Sequence, residues 1–369
     1  MPGVGSSRRR EVVTPLARLQ KAILRFGQNA VKTPGRTHDN HCVTKGVKFR
    51  SSLFKCESRV EKRIDKRRKK DENSCVKNKL IEIYCTICQC NDSRFREELQ
   101  RLSNNNCPQF TDEELITVYL WGKGQQLLTR KAIYNYTKTH LLDWFPKLPS
   151  YQAFCRRLNR IAGAFQVLAD IWMKTLVSQN PGSCEFAVDS VPIMVACRSN
   201  STRAKVGKPL CNKCYNATRK EWYHGVKVHV FSILRPGALP IPCAVQITKA
   251  SYCDLWAAKQ MMLELAPVSN GTLFADRAYI DSAWKEELRE MYSLELTTPR
   301  KKRPDDVLKS GDCFSTYVSC RRQPIESLFN WMQTHSGIQS ASHVRSLEGL
   351  LFHLFASLAF LFSLLLFYY

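Results

Sequence analysis

The sequence predicts an α/β protein: a mixed β-sheet with helices on its faces, preceded by an all-helical module and a basic, disordered extension. Three observations carry this. Apolar residues recur at helical spacing from Leu80 to Leu176. Beyond Ser183 the period shortens towards two, the mark of half-buried strands. Residues 1–80 hold 22 Lys and Arg against 7 Asp and Glu and have little to bury. The expected divisions are residues 1–75 for the extension, 76–180 for the helical module and 181–369 for the α/β domain with its apolar C-terminal helix.

Within the extension, Leu16 to Val31 has the spacing of a short basic helix, while Glu61 to Glu72 is a run of charges that repel one another. Leu80, Ile83, Tyr84 and Ile87 share one helical face. Thr111, followed by Asp112, Glu113 and Glu114, is an N-cap signature for a helix running to Trp121. Pro146 and Pro149 punctuate, and Tyr151 to Leu176 reads as one or two helices carrying Arg156, Arg157 and Arg160. Strands are then expected at Phe186–Asp189, Val226–Phe231 and Ala244–Ile247. A helix at Leu255–Leu265, a strand at Leu273–Asp276, a helix at Ala283–Met291 and a strand at Leu294–Thr297 follow. After Pro324 and Glu326, Ser327–Met332 begins another helix. Alternating helices and strands in one stretch make an α/β sheet.

The chain has 369 residues and a formal net charge of +24, a surplus that points to a polyanion rather than a small metabolite. Sixteen cysteines fall below the density of a disulfide scaffold, and the N-terminus shows no uninterrupted apolar secretory core, so reduced thiols in the cytoplasm are expected.

Three acids stand where apolar elements end: Asp189, Asp276 and Glu326. Taken singly, each has the ordinary place of a turn or cap residue. Together at the ends of buried elements they are costly unless a cation holds them. Mg²⁺ takes oxygen ligands, and two such ions roughly 3.5–4 Å apart activate the attacking oxygen and stabilise the leaving one in phosphoryl displacement.

Four motifs in order carry a resemblance: Ala187-Val188-Asp189-Ser190-Val191-Pro192-Ile193, Tyr223-His224-Gly225-Val226-Lys227-Val228-His229, Ala275-Asp276-Arg277-Ala278-Tyr279, and Arg322 ahead of Glu326. Over roughly residues 79–365 the chain resembles DDE transposases of bacterial insertion sequences, notably the nine-eight-two insertion-sequence family. The resemblance implies a ribonuclease-H-like fold and the cutting and joining of transposon ends. It makes Asp189, Asp276 and Glu326 the catalytic acids and the ligands of two Mg²⁺ or Mn²⁺ ions. It further implies double-stranded DNA as partner, a homodimer on that DNA, and a nucleoid-associated place in the bacterial cytoplasm. The rival readings are a nuclease of the same fold without strand transfer, a degenerate, non-catalytic DNA-binding protein, and a membrane-anchored basic protein held by residues 349–369.

The chain departs from the related Tyr-x2-Arg-x3-Glu-x6-Lys signature, with Ser319 at the Tyr position and Gln333 at the Lys position. Arg322 is expected either beside the scissile phosphate or on a carboxylate of the cluster. Lys227 and His229 alternate with valines, so both leave one strand face and are DNA-contact candidates if that face is the site side. Arg321, Arg322, Lys301, Lys302 and Arg303 are candidate backbone clamps. Asp254 reads as the N-cap of the helix that begins at Leu255. Cys211, Cys214, His224 and His229 fall short of the usual zinc spacing, and free thiols are expected. Gly349 to Tyr369 lacks any formal charge and is long enough to span a bilayer, yet a core helix with no membrane is expected, since the resemblance implies an apolar closing helix against the sheet.

Overall fold

A computed structural model describes residues 78–101, 108–265, 270–300 and 312–367. The extension at 1–75, the helix expected at Leu16–Val31, and Lys301, Lys302 and Arg303 lie outside the described residues.

Among the described residues, six helices precede the sheet. α1 (78–88) buries Leu80, Tyr84 and Ile87, as their spacing predicts. α2 (Ser93–Leu99) is capped by Asp92, whose carboxylate accepts from the Arg94 N–H. α3 (Asp112–Gly124) starts at the expected cap: the Glu114 N–H donates to Thr111 Oγ1 and the Thr111 N–H to Glu114 Oε2. α4 (Arg130–His140) follows, and the stretch from Tyr151 forms two helices, α5 (Tyr151–Arg160) and α6 (Ala162–Ser178), parted at Ile161. Arg157 and Arg160 of α5 turn inward. With Arg101 they surround the buried Asp112 carboxylate at 2.5–3.1 Å, joining the start of α3 to the end of α5.

The sheet consists of β1 (Glu185–Cys197), β2 (Asn212–Asn216), β3 (Glu221–Ile233), β4 (Ile241–Lys249), β5 (Gly271–Phe274) and β6 (Leu294–Thr297). A short helix, α7 (Ser199–Arg203), leads from β1 towards β2. β3 is antiparallel to β1 on one side, and on the other it pairs first with β2 and then with β4. β5 and β6 add in parallel beyond β1. A parallel addition requires a crossover. Here β4 is followed by α8 (Asp254–Glu264) before β5, and β5 by α9 (Ser282–Tyr292) before β6. Gly225 of β3 faces Met194 where β1 bulges; a side chain there would strike the Ile193 carbonyl, so the close strand approach requires glycine.

Strands and helices form in every place expected, but their bounds differ: β5 ends at Phe274, two residues short of Asp276, and β1 continues eight residues past Asp189, which therefore lies inside the strand and does not close it. β1 runs thirteen residues and α10 (Cys313–Ser336) twenty-four. α10 corrects the expectation of a helix beginning after Pro324, because the helix passes through that proline. Pro324 forfeits one backbone bond. Burial of Val318 before it, and of Ile325, Leu328 and Phe329 after it, offsets that loss.

The final helix, α11 (Leu347–Phe367), is long and apolar enough to cross a membrane, and 78% of its most apolar stretch is buried inside the protein. It packs along α6, with Phe352 edge-on to both Tyr119 and Phe165. Its one buried imidazole, His353, bonds through Nε2 to the Ile338 carbonyl at 2.8 Å. In this structure the segment is a core helix.

Candidate active site

Ala187 of β1 pairs with Phe274 of β5. Continuing two residues along both parallel chains brings Asp189 and Asp276 to the same end of the β1–β5 pair. Burial raises the Asp189 carboxyl to about 6, and the nearby Asp276 charge adds to that rise. The Arg322 guanidinium and the Ser190 N–H, which donates to Asp189 Oδ1 at 2.8 Å, pull the other way without prevailing. Asp276 accepts from the Ala278 N–H at 2.7 Å and so caps the short turn Arg277–Tyr279. That turn buries Tyr279, whose hydroxyl has no hydrogen-bond partner among the described residues. Burial, then the charges of Asp189, Asp254 and Asp276, push its ionisation far above the usual phenol range.

Arg322 reaches in from α10. Its Nη2 donates to Asp189 Oδ2 at 2.9 Å, while its buried Nε has no partner among the described residues. Of the two positions expected for Arg322, the structure shows the one on a carboxylate. Glu326 lies one helical turn further, about 6 Å along the axis. It is exposed, and among the described residues its side chain has no hydrogen-bond or ion-pair partner. Asp189 and Asp276 therefore approach each other, with Arg322 on the Asp189 carboxylate. Among the described residues no three His, Cys, Asp or Glu side chains are gathered closely enough to hold a metal ion.

The donor chemistry of the pair nonetheless suits a hard divalent cation. Two oxygen donors repel each other in a partly desolvated place, and a cation would relieve that repulsion.

Arg321 is less open than the sequence suggests. It pairs with Glu185 and lies over the Phe274 ring at 5.8 Å.

Successive residues of a strand face opposite ways, so Ser190 looks to the other side of the sheet from Asp189. On that side Asp254 gathers a second polar group. Its carboxylate accepts from Ser190 Oγ at 2.9 Å and from Lys227 Nζ at 3.0 and 3.1 Å. It also lies 3.5 Å from His229 Nδ1. The expected N-cap role is thus corrected. Cys253 holds the cap position, and Asp254, the first residue of α8, turns its side chain to the sheet. Lys227 and His229 do share a face, as alternation requires, but it is the Asp254 face and both are largely buried. His229 bonds through Nε2 to Thr248 Oγ1 at 2.7 Å, and burial lowers its pKa to about 4, leaving the ring neutral. The register of Ser190 opposite His229 and Pro192 opposite Lys227 is what makes this group, and a single strand read alone gives no sign of it.

The cysteine–histidine set does not assemble. His224 and His229 are five residues apart on one strand and so face opposite sides, and Lys213, not Cys214, stands opposite His224. His224 bonds instead to the Val206 carbonyl at 3.0 Å. The cysteines among the described residues are free thiols.

No curated protein and no solved structure gives a significant match to the chain. Residues 181–346, from the approach to β1 through α10 to the turn before α11, match the family model described as a transposase DDE domain, and this match bears out the resemblance to insertion-sequence transposases.

Proposed function

We propose that the protein is a DNA transposase with a ribonuclease-H-like catalytic domain, cutting phosphodiester bonds at transposon ends and joining the freed 3′-hydroxyl to target DNA. The antiparallel strands β4, β3 and β1, extended by parallel β5 and β6, support that fold. In this reading Asp189, Asp276 and Glu326 hold two Mg²⁺ or Mn²⁺ ions. Such ions would neutralise the scissile phosphate and activate the attacking oxygen. Arg322 fixes the Asp189 carboxylate and offers its unpartnered Nε to a phosphate oxygen. Tyr279 keeps a neutral hydroxyl beside the two aspartates as a hydrogen-bond donor. The enzyme works on double-stranded DNA in the bacterial cytoplasm, as a homodimer.

The observation that carries the reading is the meeting of Asp189 and Asp276, 87 residues apart in sequence, beside Arg322 and within a matched transposase DDE domain. The test uses the full chain, Mg²⁺, a duplex carrying the DNA that flanks the coding sequence, and a supercoiled plasmid. Nicking at the duplex end and joining to the plasmid are expected, both lost on Asp189→Asn. Nicking without joining would leave only a nuclease. The exposed position of Glu326 favours a second reading, a non-catalytic DNA-binding protein. Duplex binding with no Mg²⁺-dependent nicking would establish that reading in place of the first.

A further inference from the structure

We propose that the β2–β3 hairpin is a DNA-docking surface separate from the carboxylates. Between β1 and the start of β3, residues 198–222 contain seven cations, Arg198, Arg203, Lys205, Lys208, Lys213, Arg219 and Lys220, against one acid, Glu221. All seven cations are exposed. The acid is already matched, with Arg198 Nε 3.3 Å from its carboxylate. Nothing in the hairpin therefore offsets its positive field, which suits a polyanion.

The hairpin also displays aromatic rings where burial would be expected. Tyr215 and Trp222 are 47% and 51% exposed and form a cross-strand pair with centroids 5.4 Å apart. Lys213 lies on the same face two residues before Tyr215, donates to Thr202 Oγ1, and holds its ammonium 4.9 Å from the Trp222 ring centroid. Aromatic surface interleaved with cations is the chemistry that grips a nucleic acid: cations on phosphates, rings against sugars and groove edges. The charge complementarity selects DNA over an apolar protein partner.

Placement strengthens the case. Trp222 is eight residues from Val230, the β3 residue opposite Asp189, or about 26 Å along the strand. At about 3.4 Å per base pair, a duplex lying on the carboxylates would meet the hairpin roughly eight base pairs from the cut. That reach rests on the transposase reading; the docking surface itself does not.

The test is fluorescence anisotropy of the full chain with a duplex in EDTA, so that cleavage plays no part. The Lys213→Gln/Arg219→Gln/Lys220→Gln variant is expected to flatten the slope of log affinity against log salt by about 0.9 for each phosphate left without a cation, up to about 3. The Tyr215→Ala/Trp222→Ala variant is expected to weaken binding with the slope unchanged, because uncharged ring contacts release no counterions. Circular dichroism and melting temperature verify that each variant is folded. If both bind like wild type, the proposal is overturned, whatever the nicking assay shows. If wild type binds through these residues but never cuts, the transposase reading fails and the docking surface stands. A change in sedimentation with unaltered DNA affinity would reassign the hairpin to an interface between copies of the chain and overturn the proposal.

Discussion

Replacing Asp112 by alanine would strand two guanidiniums inside the helical part of the molecule. Arg101 and Arg157, with side chains 12% and 14% exposed, both donate to this carboxylate, and Arg160 adds a third bond from a more open position. Removing one partner from a buried ionic group costs about 3–5 kcal/mol, because the remaining charge is left without compensation. For a unit of this size the melting temperature should fall by about 10 °C. Burial acts to raise the Asp112 pKa, yet the arginines together hold it below the usual carboxylate range. Its contribution is therefore complete above the unfolded-state value near 3.8 and disappears as pH falls through the lower folded value. Differential scanning calorimetry at neutral and strongly acidic pH should show a wide gap between wild type and Asp112→Ala that closes on acidification. Adding Arg157→Met to the alanine variant should recover part of the loss. A neutral-pH difference under about 1 kcal/mol, or a gap indifferent to pH, would refute the reasoning.

Asp254→Ala removes the acceptor shared by Ser190 and Lys227 and should cost about 2–3 kcal/mol, read as a lowered melting temperature; Asp254→Asn, which keeps the shape, should lose less. His353 is buried neutral with its pKa lowered to about 4 by burial. An imidazole whose folded value is depressed stabilises the protein while it stays neutral, so that stability declines as pH drops from 6.5 towards 4. The decline is about 3 kcal/mol for this group. Chemical denaturation across that window should show a shallower pH dependence for His353→Gln than for wild type, and identical slopes would count against a neutral buried ring.

Much of the fold was legible because the apolar periodicity is local. Leu80, Tyr84 and Ile87 mark α1, and the Thr111 and Glu114 pair marks the start of α3 to the residue. Strand β2 was missed, since Asn212-Lys213-Cys214-Tyr215-Asn216 is polar, short and at an edge, and its pairing with β3 is a long-range fact. Pro324 misled for the opposite reason: a local signal for a helix start was overridden by tertiary packing on both sides of it. In the site, Asp189 and Asp276 were visible as acids beside apolar runs, although Asp189 lies inside β1, not at its end, and Asp276 stands two residues beyond β5. The Asp254 group was not, because its members come from β1, β3 and α8 and meet only once the register is set. Arg157 and Arg160 read as a basic helix side, but their partner lies more than forty residues earlier in the chain.

The seating of α11 along α6 also bears on how the protein is made. α6 ends at Ser178 and its partner begins at Leu347, so about 170 residues must emerge from the ribosome before the apolar flank of α6 is covered. At ordinary elongation rates that flank waits about 10–30 s, exposed to aggregation or chaperone capture. Premature stop codons between Ser178 and Leu347 would then yield sticky fragments fit for proteolysis, not shortened working copies.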